Sequence, residues 1–254
     1  MAKKKQEVAS NSGPRLITDN APFEYVEAYK TLRTNFNFIT ANGKNRKIVI
    51  TSALPEEGKS SLAINLAISL AQAENKVLLI DADLRNPSIH RYLHLKKDPK
   101  HGLSTLLSGE TKVGDCLITI DQGVDIIASG PIPPNPTELI ASDAMQDLLS
   151  VAMKHYDYII CDAPPVGVIT DAAALSPLCD GVLCVIRHKF ANRNHVRDAI
   201  KSLKVVNAKI LGTVLTQYTI PRKSGEHRGY SRYRYGYGYG RRSDLDQGEN
   251  NGAR

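Results

Sequence analysis

Residues 48–61 constrain the fold more than any other part of the sequence, because they have the pattern of a strand, a tight loop and the start of a helix. The strand is a β-branched apolar run, the loop ends in Gly58-Lys59-Ser60, and leucines at helical spacing follow. Backbone N–H groups of such a loop, together with the helix dipole, favour a bound anion. The stretch therefore predicts a phosphate-binding loop in an α/β domain.

The groups of this loop have separate predicted tasks. Lys59 would place its charge near the β- and γ-phosphates of a nucleotide, and the Ser60 hydroxyl would ligate Mg²⁺. Ala53 replaces the first glycine of the usual G-x-x-x-x-G-K-[ST] pattern, so a capped helix in an ordinary α/β domain is the alternative. The predicted nucleotide-binding residues are Ser52, Glu57, Gly58, Lys59, Ser60 and Ser61.

Two later apolar strands end in carboxylates. One ends in Asp81 and Asp83, and the other ends in Asp162. The carboxyl ends of parallel strands form the ligand-binding edge of α/β sheets, so we expect the three acids to lie near the phosphate loop. We predict that Asp83 and Asp162 join Ser60 in holding Mg²⁺, and that Asp81 orients an acceptor hydroxyl while Lys59 stabilises the transferring group. The sequence alone does not fix this division of roles among the three acids.

Strands alternate with helices along most of the chain. This order predicts a mostly parallel sheet of at least six strands with helices on both faces, as in P-loop NTPases. One helix is expected from residue 136 to about residue 155, after a proline-dense loop. No run approaches the roughly 18 to 20 apolar residues of a membrane span, and the N-terminus lacks the apolar core of a signal peptide, so a cytoplasmic location is expected.

Both ends of the chain differ in composition from this domain, which we place at residues 22–220. Residues 1–21 mix Lys, Ser, Asn, Gly and Pro without periodicity and predict a flexible arm, either disordered or loosely docked. Residues 221–254 begin with a basic stretch, in which positions 222–242 carry seven Lys or Arg and one acid, Glu226. Residues 229–242 have no aliphatic side chain, so this tail is predicted to be disordered.

The tail holds five of the eleven tyrosines of the chain within ten residues: Tyr230, Tyr233, Tyr235, Tyr237 and Tyr239. Tethered to a phosphoryl-transfer site, such hydroxyls are candidate phosphoacceptors, because a short flexible linker gives an effective concentration of about millimolar. The alternative is an Arg/Tyr/Gly segment that binds nucleic acid or acidic lipid by charge and stacking. Beside the predicted nucleotide site, nucleic acid is the less favoured partner.

Residues 22–41 have the apolar spacing of an amphipathic helix. Glu27, Lys30 and Arg33 follow at three-residue steps on its polar side. They could form intrahelical ion pairs on a solvated surface or contact another subunit.

The segments described so far resemble the bacterial tyrosine kinases (BY-kinases) of capsule and exopolysaccharide synthesis, in their separate cytoplasmic-subunit form. The resemblance covers about residues 22–240 and rests on residues 27–35, 52–60, 81–87, 130–139 and 162–165 and on the tyrosine tail. It implies a Mg-ATP-dependent autokinase, with Asp81 and Asp83 in its Walker A′ element and Asp162 in Walker B. It also implies a ring-like homo-oligomer, held partly by the helix of Glu27, whose tails are phosphorylated in trans.

The resemblance further implies partners. A membrane adaptor of the chain-length-regulator type would activate the kinase and recruit it to the inner face of the cell membrane. A protein-tyrosine phosphatase would reverse the reaction, and external protein substrates are a further expectation. Each tail phosphate would add about −1.5 to −2 charges and break the ring by repulsion.

Two departures from the family pattern bear on this reading. Lys30 stands where Arg is usual, which weakens any bidentate contact between subunits. Thr216 stands where relatives often carry an adenine-reading Asn, which leaves the base contact unassigned.

The main rival is a partitioning or septum-positioning ATPase of the same fold, but Leu54 stands where those proteins carry an extra lysine. A nucleotide-gated scaffold without catalytic activity is compatible with most of the same residues.

Overall fold

The structure is a computed structural model that describes residues 16–18, 20–40, 46–95 and 100–218. One unit, Met1–Tyr218, contains all of these residues. The basic tail with its five tyrosines lies outside the described residues, as do residues 1–15 of the predicted arm. Within the described part, no helix is long and apolar enough to cross a membrane.

One sheet of seven strands organises the domain, in the order β3-β4-β2-β5-β1-β6-β7. The strands are β1 (Lys47–Ser52), β2 (Val77–Asp81), β3 (Leu117–Thr119), β4 (Val124–Ile127), β5 (Tyr158–Asp162), β6 (Gly181–Arg187) and β7 (Ile210–Thr216). Six strands pair in parallel, and β3 runs antiparallel to β4 at one edge. The predicted mostly parallel sheet is therefore confirmed.

Helix α1 precedes the first strand, and the other helices follow or connect the strands. They are α1 (Phe23–Thr40), α2 (Lys59–Ala71), α3 (Ile89–Tyr92), α4 (Leu103–Leu107), α5 (Val113–Cys116), α6 (Pro136–Ile140), α7 (Asp143–Ala152), α8 (Asp171–Leu175) and α9 (Arg193–Val205). The single helix expected from residue 136 to about 155 is wrong, because α6 ends at Ile140. Ser142 then caps α7, its hydroxyl accepting a hydrogen bond from the Met145 N–H at 3.3 Å.

Two hydrophobic cores cover the two faces of the sheet. Successive side chains of a strand point to opposite faces, so Ile48 and Ile50 of β1 join the core that contains α1 and α2. Val49, between them, joins the core that contains α7 and α9. Both cores are built on the central strands, and the parallel pairing of β5 with β1 and β2 sets the carboxyl ends of these three strands side by side.

The N-terminal segment is docked where the structure describes it. Ile17 is 2% exposed, and its N–H donates to Asn65 Oδ1 in α2 at 2.8 Å. The same Asn65 donates from Nδ2 to the Tyr25 hydroxyl in α1 at 3.1 Å. At Ile17 the arm is therefore docked on α2, which is one of the two alternatives considered for it.

The polar side of α1 shows both kinds of contact considered from the sequence. Lys30 Nζ lies 2.8 Å from Glu27 Oε1, and both side chains are largely exposed. Arg33 Nη1 instead donates to the Ser69 carbonyl in α2, which ties α1 to the rest of its own chain. The role of Glu27, Lys30 and Arg33 between subunits stays a prediction.

Candidate active site

The phosphate loop joins β1 to α2, as the sequence predicts. Gly58 precedes α2 with φ +89°, a left-handed conformation that strongly favours glycine. Gly58 has no side chain with which to cap the helix, and the first turn of α2 contains no acid. The first N–H groups of α2 are therefore suited to an anion.

Glu57 holds the loop in shape. Its side chain is fully buried, and its two carboxylate oxygens accept from the Leu54 N–H at 2.8 Å and the Arg187 N–H at 3.2 Å. The Thr216 hydroxyl donates to the Glu57 carbonyl at 2.7 Å, from the end of β7. The carboxylate is thus committed to contacts within the protein, which leaves only the backbone of Glu57 for a nucleotide, and its role in nucleotide binding stays a prediction. The Thr216 hydroxyl is therefore also engaged in holding the loop.

The serines of the loop also have partners within the protein. The Ser52 hydroxyl donates to the Leu54 carbonyl at 2.6 Å. The Ser88 hydroxyl, at the start of α3, donates to Ser60 Oγ at 2.7 Å. Ser61 is half-buried in the first turn of α2, where its carbonyl accepts from Asn65. Ser60 therefore keeps a defined position before any ligand arrives.

The three predicted acids and Lys59 meet at one edge of the sheet. Asp81 at the end of β2 lies directly opposite Asp162 at the end of β5. Burial raises the pKa of both Asp83 and Asp162, and the charge of Lys59 at the start of α2 is close enough to oppose that rise at both carboxyls. The structure therefore brings Asp81, Asp83 and Asp162 together beside the phosphate loop, as the sequence led us to expect.

Asp162 is the most unusual group of the site. It is fully buried, and neither carboxylate oxygen has a hydrogen-bond partner among the described residues. Burial raises the pKa of Asp162 to about 6, against the opposing influence of Lys59 and of the nearby Ser60 hydroxyl. An unpartnered buried carboxylate is costly, so this one is suited to a bound cation.

The other two acids are tied to the backbone. Asp81 is fully buried, and its oxygens accept from the Asp83 N–H at 3.3 Å and the Ile89 N–H at 3.2 Å. Burial and the neighbouring Asp162 hold the pKa of Asp81 well above its usual range. Asp83 accepts from the Asn86 N–H at 2.9 Å and remains 8% exposed. Burial raises the pKa of Asp83 as well.

The donor set fits a magnesium ion that is bound together with phosphate. Across the described residues, no group of three or more His, Cys, Asp or Glu side chains could hold a metal ion by itself. Mg²⁺ at nucleotide sites takes one or two carboxylates and completes its shell with phosphate oxygens and water. The unpartnered Asp162 is consistent with that mode of binding.

Sequence reasoning missed a polar network next to the acids. Arg85 Nε and Nη2 donate to the two oxygens of Asp171 at 2.8 and 3.2 Å. Arg85 Nη2 also donates to the Thr137 hydroxyl at 2.9 Å, and Thr137 donates to Asp171 at 2.6 Å. Arg85 and Thr137 lie inside stretches that carry the family resemblance, whereas nothing in the sequence marked Asp171.

A close backbone approach was missed as well. A Cβ on Gly167 would lie 2.3 Å from the Ala53 carbonyl oxygen, so only glycine fits there without a backbone shift. Nearby, the Thr51 hydroxyl donates to the Pro164 carbonyl at 2.7 Å and accepts from the Val166 N–H at 3.1 Å. The loop after β5 is thus attached to the first residues of the phosphate loop.

Comparison with known proteins identifies the family. The AAA domain family matches residues 45–214. The tyrosine-protein kinase YwqD of Bacillus subtilis is 36% identical over 208 residues, which cover 82% of this chain and 85% of YwqD. The chain belongs to the bacterial tyrosine-kinase family. It is a protein-tyrosine kinase, as the motifs of the sequence indicated.

Solved structures agree with the assignment of this chain to the BY-kinase family. The kinase domain of Escherichia coli tyrosine kinase ETK superposes with a TM-score of 0.72 at 32% identity, over 84% of this chain and 88% of that domain. The septum site-determining protein MinD of Pyrococcus horikoshii, solved with Mg-ADP, gives a TM-score of 0.57 at 22% identity over 68% of this chain and 71% of MinD. At that identity the likeness to MinD concerns the fold alone.

Proposed function

We propose that this BY-kinase is an autokinase that transfers the γ-phosphoryl group of Mg-ATP to the tyrosines of a neighbouring copy's tail. The observation that carries the proposal is the buried, hydrogen-bond-deficient carboxylate of Asp162, which lies beside Lys59 at the end of the phosphate loop. This is the charge arrangement of a site that is completed by a nucleotide and its metal. The tail supplies five tyrosines in ten residues.

The residues of the pocket divide the work between binding and charge stabilisation. The loop N–H groups and the start of α2 bind phosphate oxygens, and Lys59 neutralises negative charge that spreads over the transferring group. Ser60, Asp83 and Asp162 would hold Mg²⁺, which when bound neutralises charge on the β- and γ-phosphate oxygens. The Ser88 hydroxyl keeps Ser60 oriented for this task.

A carboxylate must also orient the acceptor hydroxyl, and the sequence analysis predicts Asp81 for this role. A tyrosine hydroxyl has a pKa near ~10, so the carboxylate orients it and accepts its proton late in the reaction. Asp81 is fully buried with both oxygens engaged by backbone N–H groups, and Asp83 is also buried, at 8% exposed. Because Asp83 is proposed as a ligand of Mg²⁺, Asp81 stays the candidate for contact with the acceptor, and substitutions of both residues belong in the test.

The proposed setting follows from the same family. The kinase would act at the inner face of the cell membrane with an adaptor of the chain-length-regulator type and would regulate capsule or exopolysaccharide polymerisation and export. Subunits would form a ring through Glu27, Lys30 and Arg33, and phosphorylation would dissociate it by charge repulsion. A phosphatase would restore the ring, and external protein substrates would share the site.

One experiment tests the reaction. The purified chain is incubated with Mg-ATP and the cytoplasmic segment of such an adaptor, and phosphate is mapped by mass spectrometry. Phosphate on the tail tyrosines, absent in Lys59→Met, is the expected result. Release of inorganic phosphate with an unmodified tail would instead assign the chain to the partitioning-ATPase mode.

Transfer between subunits needs a mixing experiment. Lys59→Met with an intact tail is mixed with an active variant in which all five tail tyrosines are phenylalanine. Phosphate on the Lys59→Met chain indicates transfer in trans. If neither chain is phosphorylated while the wild type is, transfer occurs within one chain.

A further inference from the structure

Three loops at the carboxyl edge of the sheet meet through three side chains. Arg85 lies in the loop after β2, which also carries Asp83. Thr137 lies in the first turn of α6, after the proline-rich loop that follows β4. Asp171 is the first residue of α8, at the end of the loop that begins after Asp162. We call Arg85, Thr137 and Asp171 the loop clamp.

The clamp is a closed hydrogen-bonded ring. Arg85 binds both oxygens of Asp171 in a fork geometry, and Thr137 both accepts from Arg85 and donates to Asp171. Asp171 is 1% exposed, yet both of its oxygens have donors. A bidentate guanidinium–carboxylate pair fixes distance and orientation together, which a lysine cannot do.

We propose that the loop clamp is a positioning device, which sets the separation of Asp83 and Asp162 and thereby the rate of the chemical step. Arg85 is two positions from Asp83 along one loop, and Asp171 ends the loop that starts at Asp162. Cross-linking these two loops restricts how far the two carboxylates can move apart. The inference rests on the proposed role of those acids in holding the metal–phosphate group.

Stability alone is a weak reason for such a clamp. An ion pair of this kind often contributes little net stability, because the buried Asp171 carboxylate loses its hydration while water partly screens the charge of Arg85, whose side chain is 39% exposed. The distinctive property of the clamp is therefore its geometry. Arg85, Thr137 and Asp171 have no direct part in the reaction as proposed and act through Asp83 and Asp162.

Thr137 offers the matched pair of variants that separates the two roles. Thr137→Val keeps the shape but removes the hydroxyl, and Thr137→Ser keeps the hydroxyl. We expect Thr137→Val to lower the kcat of tail phosphorylation by about tenfold or more, while its KM for ATP changes less than about threefold. The kcat of Thr137→Ser should stay within about twofold of the wild-type value. Arg85→Lys, which keeps the charge but loses the fork, should behave like Thr137→Val. Arg197→Lys, in an exposed ion pair with Asp198, is the surface control.

Two further measurements do not depend on turnover. Hydrogen exchange of the nucleotide-free protein should be faster in residues 82–88 and 163–170 of Thr137→Val than of Thr137→Ser. Calorimetric titration with ADP should show a smaller gain in affinity on adding Mg²⁺ for Thr137→Val than for wild type. If Thr137→Val shows both of these effects while wild type shows no tail phosphorylation, the proposed autokinase fails and the clamp stands.

The proposal is overturned if Thr137→Val keeps wild-type kcat, wild-type exchange in both loops and the full effect of Mg²⁺ on ADP affinity. It is also overturned if Thr137→Val lowers the melting temperature while kcat and the effect of Mg²⁺ stay unchanged, because the clamp would then be only structural. If Arg85→Lys fails to fold, the Thr137 pair decides.

Discussion

Replacement of Asp162 by Asn is expected to stabilise the nucleotide-free kinase at neutral pH, although it removes a group of the active site. Asp162 is fully buried, without a hydrogen-bond partner in the described part of the chain, and burial raises its pKa to about 6. An unfolded aspartate titrates near ~3.9. Between those two pH values the folded protein therefore holds a proton that the unfolded chain has lost.

The size of the effect follows from this difference. Because the folded state binds more protons than the unfolded state, stability falls as pH rises from about 4 to about 6 and stays reduced above that window. Two pKa units at ~1.36 kcal/mol each correspond to about 3 kcal/mol at pH 7.5. Asparagine resembles the protonated carboxyl at every pH, so Asp162→Asn avoids this cost. For a domain of this size the gain corresponds to a rise of roughly 6 to 12 °C in melting temperature.

Thermal unfolding followed by circular dichroism in EDTA, from pH 4 to pH 8, measures this difference. The melting temperatures of wild type and Asp162→Asn should nearly coincide at pH 4, diverge up to pH 6 and remain apart above it. Asp198→Asn, at a side chain that is 66% exposed, is the matched control and should show no such trend. A gap that does not change with pH, or an Asp162→Asn variant less stable than wild type at pH 7.5, would refute the reasoning.

Three further substitutions test other parts of the site. Glu57→Ala leaves two partly buried backbone N–H groups without their acceptor, so it should cost about 1 to 3 kcal/mol in denaturant unfolding, and Glu57→Gln should cost less. Gly167→Ala should weaken ADP binding about tenfold or more in calorimetry, because its Cβ would displace the Ala53 carbonyl, whereas Gly114→Ala, with open space around it, should be neutral. Lys59→Met should abolish tail phosphorylation and leave the melting temperature within a few degrees of wild type.

The position of the three acids of the candidate site could be predicted because sheet topology dictates it. Once strands and helices alternate, the ends of β1, β2 and β5 must lie at one edge, and the residues that follow them must meet. The sequence therefore placed Asp81, Asp83 and Asp162 beside Lys59 without any knowledge of contacts. Local patterns also located the phosphate loop, since its chemistry is carried by consecutive residues.

Other features could not be predicted, because they arise from contacts between distant segments or from short elements. Strand β3 has three residues, too few for a periodic pattern, and Ser142 interrupts the stretch that was predicted as one helix. Glu57 beside Gly-Lys resembles a phosphate-site residue, and only the fold shows that its carboxylate turns inward. The pairing of Arg85 with Asp171 joins residues 86 positions apart and has no local signature.

Two buried aspartates, Asp171 and Asp162, differ in whether their carboxylate oxygens have hydrogen-bond donors. Asp171 and Asp162 are 1% and 0% exposed and each lies after β5 or at its end. Asp171 has hydrogen-bond donors for both oxygens, whereas Asp162 has none within the residues that the structure describes. Selection for stability alone would satisfy both carboxylates, because an unpaired buried charge is among the costliest features of a fold. The cost at Asp162 is therefore best explained by a ligand that the folded protein is built to receive, while Asp171 holds the adjacent loops in the geometry that this ligand requires.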